Sequence, residues 1–187
     1  NKERQNEENK IMKEAYDKID AMDLENTPVI VLDADNWHHG VIGIISSRIT
    51  EKYSKPSILI SFEGNEGDSP SPDDVGKGSG RSIKGINLVD AMSYSKEYLI
   101  KFGGHELAAG LTVRRRDVEK FRKKINEYAT ALLEKEDIYF SIEADRALEM
   151  SDLTMKLAKE ITKLEPFGSM NSVPLFMINK ARVSRAY

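Results

Sequence analysis

The sequence contains no cysteine, which excludes disulfides, zinc–thiolate sites and cysteine nucleophiles. It has no apolar run long enough to span a bilayer and no visible signal peptide. Acidic and basic residues nearly balance, at 31 and 28, so the whole chain is not a polycation that binds nucleic acid non-specifically. We therefore expect a cytoplasmic protein with no membrane partner, in which any contact with nucleic acid comes from a local basic surface.

The order of apolar segments predicts an α/β fold with a mixed β-sheet flanked by helices. Strands are expected at 27–32, 57–62 and 76–83, with a polar turn at 33–40 and a short strand ending at Val113. Helices are expected over 1–25, 41–53, from Asn87 to about residue 100, and from Asp117 onwards. Beyond residue 136, a strand at 138–144, a helix capped by Ser151 and a strand at 174–183 predict a second, truncated module resembling part of a β-barrel.

The stretch from Lys101 to Leu111 combines three glycines, two alanines and a histidine. Paired glycines allow a backbone to approach a ligand closely, and the ring of His105 can donate to a phosphate or assist proton transfer. Small residues on both sides leave room for a bulky ligand such as a nucleotide. This stretch supplies the candidates Gly103, Gly104, His105, Ala108, Ala109 and Gly110.

Residues 76–82 alternate glycine with polar residues. On a strand this pattern places Lys77, Ser79 and Arg81 on one face and leaves the other face bare, so that a partner can come close. A guanidinium flanked by hydroxyl groups, here including Ser82, suits a phosphate. The alternative is a tight glycine hairpin with a solvated arginine. The spacing matches neither a Walker loop nor a dinucleotide fingerprint.

Residues 36–41 lie between a predicted strand and a predicted helix, where backbone amides favour an anion. Trp37, the single tryptophan, can stack on a base, or it can be a buried ring beside a capped turn. Asp35, His38 and His39 have a spacing compatible with metal ligands in one turn. Too few further ligands are evident, so we predict no metal site in this chain.

Two basic runs remain, Arg114–Arg116 and Arg122–Lys124. They form either a solvated face or a contact surface for a nucleic-acid backbone, which Lys180, Arg182 and Arg185 would extend. A Gly-x-Ser-x-Gly elbow is absent, and no Ser–His–Asp triad is indicated.

Taken in order, these segments resemble the RecJ family of single-strand-specific exonucleases in the DHH phosphoesterase superfamily. The resemblance continues into residues 164–168, which are similar to the opening of the family's oligonucleotide-binding barrel. The matching segments are Trp-His-x-Gly-Val-x-Gly-Ile at 37–44, Arg48, Lys55-Pro56, Gly-Lys-Gly-Ser-Gly-Arg-Ser at 76–82, and Phe-Gly-Gly-His-x-x-Ala-Ala-Gly at 102–110.

The resemblance implies three parts: residues 1–26 end a connecting helix, 27–136 form the DHH-associated domain, and 137–187 begin the barrel. Because the sequence begins at Asn1 rather than Met, we expect a piece of a longer protein. The resemblance places the ligands for Mn²⁺ or Mg²⁺ in a DHH domain outside this chain, which would join it in cis. The contiguous Asp-His-His of that domain differs from the arrangement around Asp35.

The implied activity is 5′→3′ hydrolysis of single-stranded DNA in repair and recombination, with this chain inactive alone. By resemblance, Trp37 and His38 help to form the pocket for the terminal phosphate or nucleotide. Ser79 and Arg81 hold a phosphate, and Gly103, Gly104 and His105 hold the nucleotide being cleaved. We assign His105 to substrate positioning at the cleavage site. The residues expected to contact nucleic acid are Trp37, His38, Gly40, Lys77, Ser79, Gly80, Arg81, Ser82, Gly103, Gly104, Ala108, Ala109 and Gly110.

Two alternatives stay open at this point. One is a DHH-family oligoribonuclease or cyclic-dinucleotide phosphodiesterase, although such relatives usually end before a barrel-like tail. The other is a non-catalytic nucleic-acid-binding module. The unfinished barrel also predicts self-association, because exposed strand edges tend to pair.

Overall fold

The computed structural model describes residues 2–63, 69–135, 144–168 and 171–179. The chain divides into two compact units, residues 1–140 and 141–187. The predicted boundary at 136/137 falls among residues outside the described part, and the three predicted domain ranges stay predictions.

The first unit is a five-stranded sheet with helices on both faces, which confirms the predicted mixed α/β fold. The strand order is β1-β2-β3-β5-β4; β1 and β2 are parallel and the other neighbouring pairs are antiparallel. In chain order the elements are α1 (Lys2–Asp20), β1 (Ile30–Asp35), α2 (His39–Tyr53), β2 (Ser57–Phe62), β3 (Val75–Arg81), α3 (Leu88–Tyr94), β4 (Leu99–His105), β5 (Ala108–Arg114) and α4 (Val118–Lys135).

Two apolar clusters hold these layers together. One joins α1 and α2 to the sheet; its members include Ile11, Ile19, Ile45, Ile49 and Leu59. The other joins α3 and α4 to the opposite face; its members include Ile58, Ile60, Met92, Leu111 and Phe121. Alternation along β2 sends neighbouring residues into different clusters, which explains why all six of its positions are buried.

Three local predictions were wrong. The strand predicted at 27–32 runs from Ile30 to Asp35 instead, because β1 keeps pairing with β2 through the positions predicted as a polar turn. Asn87 caps its helix as predicted, but the helix ends at Tyr94, and residues from Leu99 onwards pair with β5. The glycine–histidine stretch is itself part of β4 and β5, since cross-strand pairing outweighs local preference.

The free edge of β1 is covered by side chains from α4. Asn126 accepts a hydrogen bond from the Val29 amide at 2.9 Å and donates to the Val29 carbonyl at 3.1 Å. Arg122 donates to the Val31 carbonyl at 3.0 Å and to the Asp33 carboxylate at 2.6 Å. These bonds satisfy backbone groups that another strand could otherwise pair with.

Asn126→Ala is therefore expected to lower the free energy of unfolding by about 2 kcal/mol, because the buried Val29 loses partners for both backbone groups. Denaturant unfolding measures the change. Asn126→Asp keeps an acceptor for the amide and loses the donor, so an intermediate loss is expected. Equal stability of all three proteins would contradict this role for the side chain.

The second unit contains β6 (Arg146–Leu148), α5 (Met155–Ile161) and β7 (Phe176–Ile178), with β6 and β7 parallel. Thr154 caps α5, so the predicted cap at Ser151 was wrong; the Thr154 hydroxyl lies three residues before the Leu157 amide that it accepts from, at 3.2 Å. The strand predicted at 174–183 is seen over the range of β7, and 180–183 lie outside the described residues. Most of the strand predicted at 138–144 also lies outside them.

Within the described ranges, no helix combines the length and apolar character needed to cross a membrane.

Candidate nucleic-acid interface

One face of the β3–β5–β4 half of the sheet carries most of the predicted phosphate-binding side chains. Because successive side chains of a strand point to opposite faces, these lie on the face of the sheet against which α2 packs. The strand register aligns them across β3, β5 and β4. Three cross-strand rows result, each read from β3 through β5 to β4: Lys77–Thr112–Lys101, Ser79–Gly110–Gly103 and Arg81–Ala108–His105. The structure thus brings together two stretches that lie about twenty residues apart in the sequence.

The middle row forms a bare floor between the two polar rows. A Cβ added to Gly103 would meet no atom within 4 Å, and one added to Gly110 would meet only the Gly78 carbonyl oxygen at 3.7 Å. Both residues are exposed. Because packing does not require glycine at either position, the open space is available to a ligand.

The glycines of β3 have a different role from Gly103 and Gly110. The prediction that their face is bare and open to a partner was wrong, since neighbouring side chains fill it. A Cβ at Gly76 would lie 2.7 Å from the Phe62 ring, and one at Gly80 would lie 2.8 Å from Leu88 Cδ2. These glycines let the apolar cluster beneath the sheet close over β3.

Arg81 is held on the open face by contacts with α2 and with its own strand. Its guanidinium donates to Ser79 Oγ at 3.2 Å and to the Gly80 carbonyl at 2.8 Å. A Cβ at Gly43 in α2 would lie 3.1 Å from the guanidinium and 3.0 Å from Ser79 Oγ. Gly43 therefore leaves the space that this arginine occupies.

The hairpin that carries His105 is fixed at its tip. The carbonyl of Glu106 accepts a hydrogen bond from the Leu88 amide at the start of α3, and that of Leu107 accepts one from the Ser82 amide, both at 2.9 Å. His105 is exposed and lies two strands from Arg81, which corresponds to about 10 Å between backbones. The two side chains can therefore flank one ligand.

The cations of this face have no anionic partner in the described part of the chain. None of the three, Lys77, Lys101 and Arg81, forms an ion pair with a described carboxylate. Positive charge without a protein counter-ion on an open surface favours an anionic ligand.

Most residues of the two basic runs, 114–116 and 122–124, pair with carboxylates of the protein instead. Arg115 pairs with Asp35 and, at 3.3 Å, with Asp74, while its guanidinium stacks 4.0 Å from the centre of the Phe62 ring. Arg122 pairs with Asp33 at 2.6 Å. The predicted extension through 180, 182 and 185 lies outside the described residues.

The N-terminal end of α2 differs from the anion site that the sequence suggests, because one of its backbone amides is bonded within the protein. His38 caps the helix, and its Nδ1 accepts the Gly40 amide at 3.0 Å, so this amide is already satisfied. His39 pairs with Glu63 at 2.9 Å, and Asp35 turns to Arg115. No group of three or more described His, Asp or Glu residues is arranged to hold a metal ion.

Trp37 is a core residue. Its side chain is only 2% exposed, and its Nε1 donates to Glu14 Oε2 at 2.8 Å. The ring joins the cluster beneath α1 and α2, so the structure favours a buried ring over base stacking.

Four further predicted contacts lie away from the open face. Gly80 and Ala109 face the cluster beneath the sheet. Gly104 has a φ of +152° and lies against the backbone of β5. The hydroxyl of Ser82 donates to the Ile86 carbonyl at 2.6 Å. Their backbones form part of the site's framework. Their side-chain positions, in contrast, are occupied by contacts within the fold.

Sequence reasoning missed three residues: Gly43, Lys101 and Thr112. Gly43 stood inside the motif at 37–44 without a local signal for this face, and Lys101 lies two residues before Gly103, which on a strand places both on the same face. Thr112 lies two residues after Gly110, which on a strand places it on the same face.

Two family models match the chain, the DHHA1 domain over residues 26–131 and the RecJ OB domain over residues 144–187. The first spans the sheet and helices that build the open face. This chain belongs to the RecJ family. The two matched domains follow one another in the order that the sequence resemblance predicts.

Its similar relatives include the single-stranded-DNA-specific exonuclease RecJ of Bacillus subtilis (strain 168), 34% identical over 181 residues, covering 97% of this chain and 22% of the relative. The protein of that name from Escherichia coli (strain K12) is 34% identical over 144 residues, covering 75% and 24%. This chain therefore spans about a quarter or less of these relatives.

Among solved structures, RecJ from Thermus thermophilus in complex with Mg²⁺ has a TM-score of 0.71 and 27% identity, covering 93% of this chain and 25% of that one. The same protein has also been solved with Mn²⁺. An exonuclease RecJ bound to manganese has a TM-score of 0.56 and 28% identity, covering 68% and 29%.

Proposed function

We propose that this chain is the substrate-binding part of a RecJ-type 5′→3′ exonuclease, and that the open face of β3, β5 and β4 binds the phosphodiester backbone of single-stranded DNA. The relatives' name, single-stranded-DNA-specific exonuclease, supports the class of substrate. The face itself supports the mode of binding.

The observation that carries the proposal is the combination of unpaired cations with a floor that packing does not fill. Arg81 is pre-oriented by Ser79 and by the space at Gly43, so less freedom is lost when it meets a phosphate. Gly103 and Gly110 let a sugar or base lie against the backbone between the polar rows. Binding at such a face is electrostatic and insensitive to base sequence.

In this proposal the chain binds and orients the strand, and His105 donates to the phosphate at the point of cleavage. A divalent metal bound by a DHH domain outside this chain, joined to it in cis, would supply an activated water. The described residues offer no ligand set for that ion. In this proposal the chain alone binds DNA, and cleavage requires the DHH domain.

The wider setting belongs to the same proposal. Action in DNA repair and recombination, a cytoplasmic location and self-association through the last segment all follow from the family resemblance and the chain's composition. The RecJ OB domain match over 144–187 supports a second nucleic-acid contact beyond the open face.

Arg81→Ala and His105→Ala are each expected to weaken binding of a 5′-phosphorylated oligothymidylate about tenfold, because each removes a donor to phosphate. Fluorescence anisotropy at low salt measures the dissociation constants. Removal of one cationic contact should also reduce the slope of log affinity against log salt by about 0.7 for a single strand.

Arg116→Ala is the matched control. It removes the same charge from a residue that pairs with Asp73 instead of facing the open floor. Unchanged affinity in both test variants, or an equal loss in the control, would contradict the proposed interface. Release of nucleotides by the purified chain with Mn²⁺ would contradict its role as a binding part only.

A further inference from the structure

The row Lys77–Thr112–Lys101 forms a polar group separate from Arg81 and His105. The two lysines stand on the outer strands of the row with the threonine between them. All three line a shallow depression whose floor includes Gly103 and Gly110. We propose that this row is a second phosphate-binding site, for a phosphodiester further along the same DNA strand. The inference rests on the proposed function of the open face.

Thr112 places a hydroxyl between the two lysines. The residue is only 7% exposed, and no described residue forms a hydrogen bond with its hydroxyl. Yet no fully enclosed polar side-chain atom in the described part lacks a partner, so this hydroxyl has access to the depression. Because the hydroxyl is accessible and has no partner among the described residues, it can bond to a ligand in the depression without giving up a hydrogen bond within the protein.

The two lysines can share one anion. Their strands lie about 10 Å apart, with β5 between them, and no described carboxylate pairs with either ammonium. An anion seated above Thr112 would reduce their mutual repulsion and accept from both. A phosphate has enough oxygen atoms to take all three donors at once.

The distance along β3 separates this row from the row that contains Arg81 and His105. Four residues along β3 separate Lys77 from Arg81, which corresponds to about 13 Å. A single phosphate cannot reach both rows, so the second site engages only when the strand continues past the bare floor. The inference therefore predicts that affinity depends on the length of the DNA.

The test compares Lys77→Gln, Lys101→Gln and Thr112→Val for binding of a mononucleotide and of a 5′-phosphorylated oligothymidylate. Each lysine variant should bind the oligonucleotide about fivefold more weakly and lower the salt slope by about 0.7. Thr112→Val, which keeps the shape of the side chain, should weaken it about threefold. Mononucleotide binding should not change, whereas Arg81→Ala should weaken both ligands.

Lys120→Gln serves as the control, because this lysine is exposed on α4, on the other side of the sheet. Unchanged oligonucleotide binding in the row variants, with binding still lost in Arg81→Ala, would overturn the second site and leave the proposed function intact. A parallel loss of mononucleotide binding would also overturn it.

If the chain bound no oligonucleotide, the proposed function would fail, and pyrophosphate titration followed by amide NMR would decide the anion site. Saturable shifts at Thr112 and Lys101 that disappear in Lys77→Gln would then support an anion site for free phosphates. No saturable shift would overturn it.

Discussion

Gly104→Ala is expected to lower the free energy of unfolding by about 3 kcal/mol or more, whereas Gly103→Ala should change it by less than about 0.5 kcal/mol. At Gly104 the φ is +152°, and a Cβ would overlap the Ala108 carbonyl oxygen and lie 2.5 Å from the Ala109 Cα. At Gly103 a Cβ meets nothing within 4 Å. Denaturant unfolding of both variants measures the difference.

Gly103 matters little for stability, but we expect a substitution there to weaken DNA binding. Gly103→Val suits a strand and fits the open space, yet it raises the floor on which the proposed ligand lies. We expect a folded protein whose affinity for a 5′-phosphorylated oligothymidylate is reduced about tenfold. Gly110→Val is the matched variant on the neighbouring strand and should behave alike. Full affinity in both would contradict a ligand lying on the bare floor.

Trp37→Ala is expected to cost about 3 to 5 kcal/mol of unfolding free energy, because it empties a large volume in the core. The ring is 2% exposed and bonded to Glu14. Trp37→Phe keeps much of that volume and should lose less. Denaturant unfolding again provides the measurement.

Fluorescence separates this core role from the base stacking that the sequence also allows. Trp37 is the only tryptophan, so its emission reports one site. Added oligonucleotide should leave the emission unquenched, and acrylamide should quench it weakly. Strong quenching by DNA, with wild-type stability in Trp37→Ala, would contradict a core role.

Several features could be predicted because their signals are local. The α2 helix follows from the helical spacing of apolar residues before Pro56, and the strand β2 follows from the apolar run after it. The cap at Asn87 follows from residue type. The family could be recognised from four short motifs in order, and the family models confirm it. The positions of Lys77, Ser79 and Arg81 on one face follow from simple alternation.

Other features depend on contacts between distant segments. The segment from Leu99 is a strand because it pairs with β5, although the same residues extend a helical pattern from Asn87. The basic run at 114–116 is no free patch, because the fold brings Asp35 and Asp74 to Arg115. No local pattern encodes such pairings.

The sequence by itself determined the family, the α/β class and the residue types that we propose for phosphate binding, since these depend on composition, spacing and motif order. Only the tertiary structure decided which glycines serve the fold and which leave space for a ligand, because a glycine's purpose depends on what a Cβ would meet. It also decided which cations stay unpaired. Charge at Arg115 and at Lys101 looks alike in sequence, and the position of carboxylates across the sheet separates them.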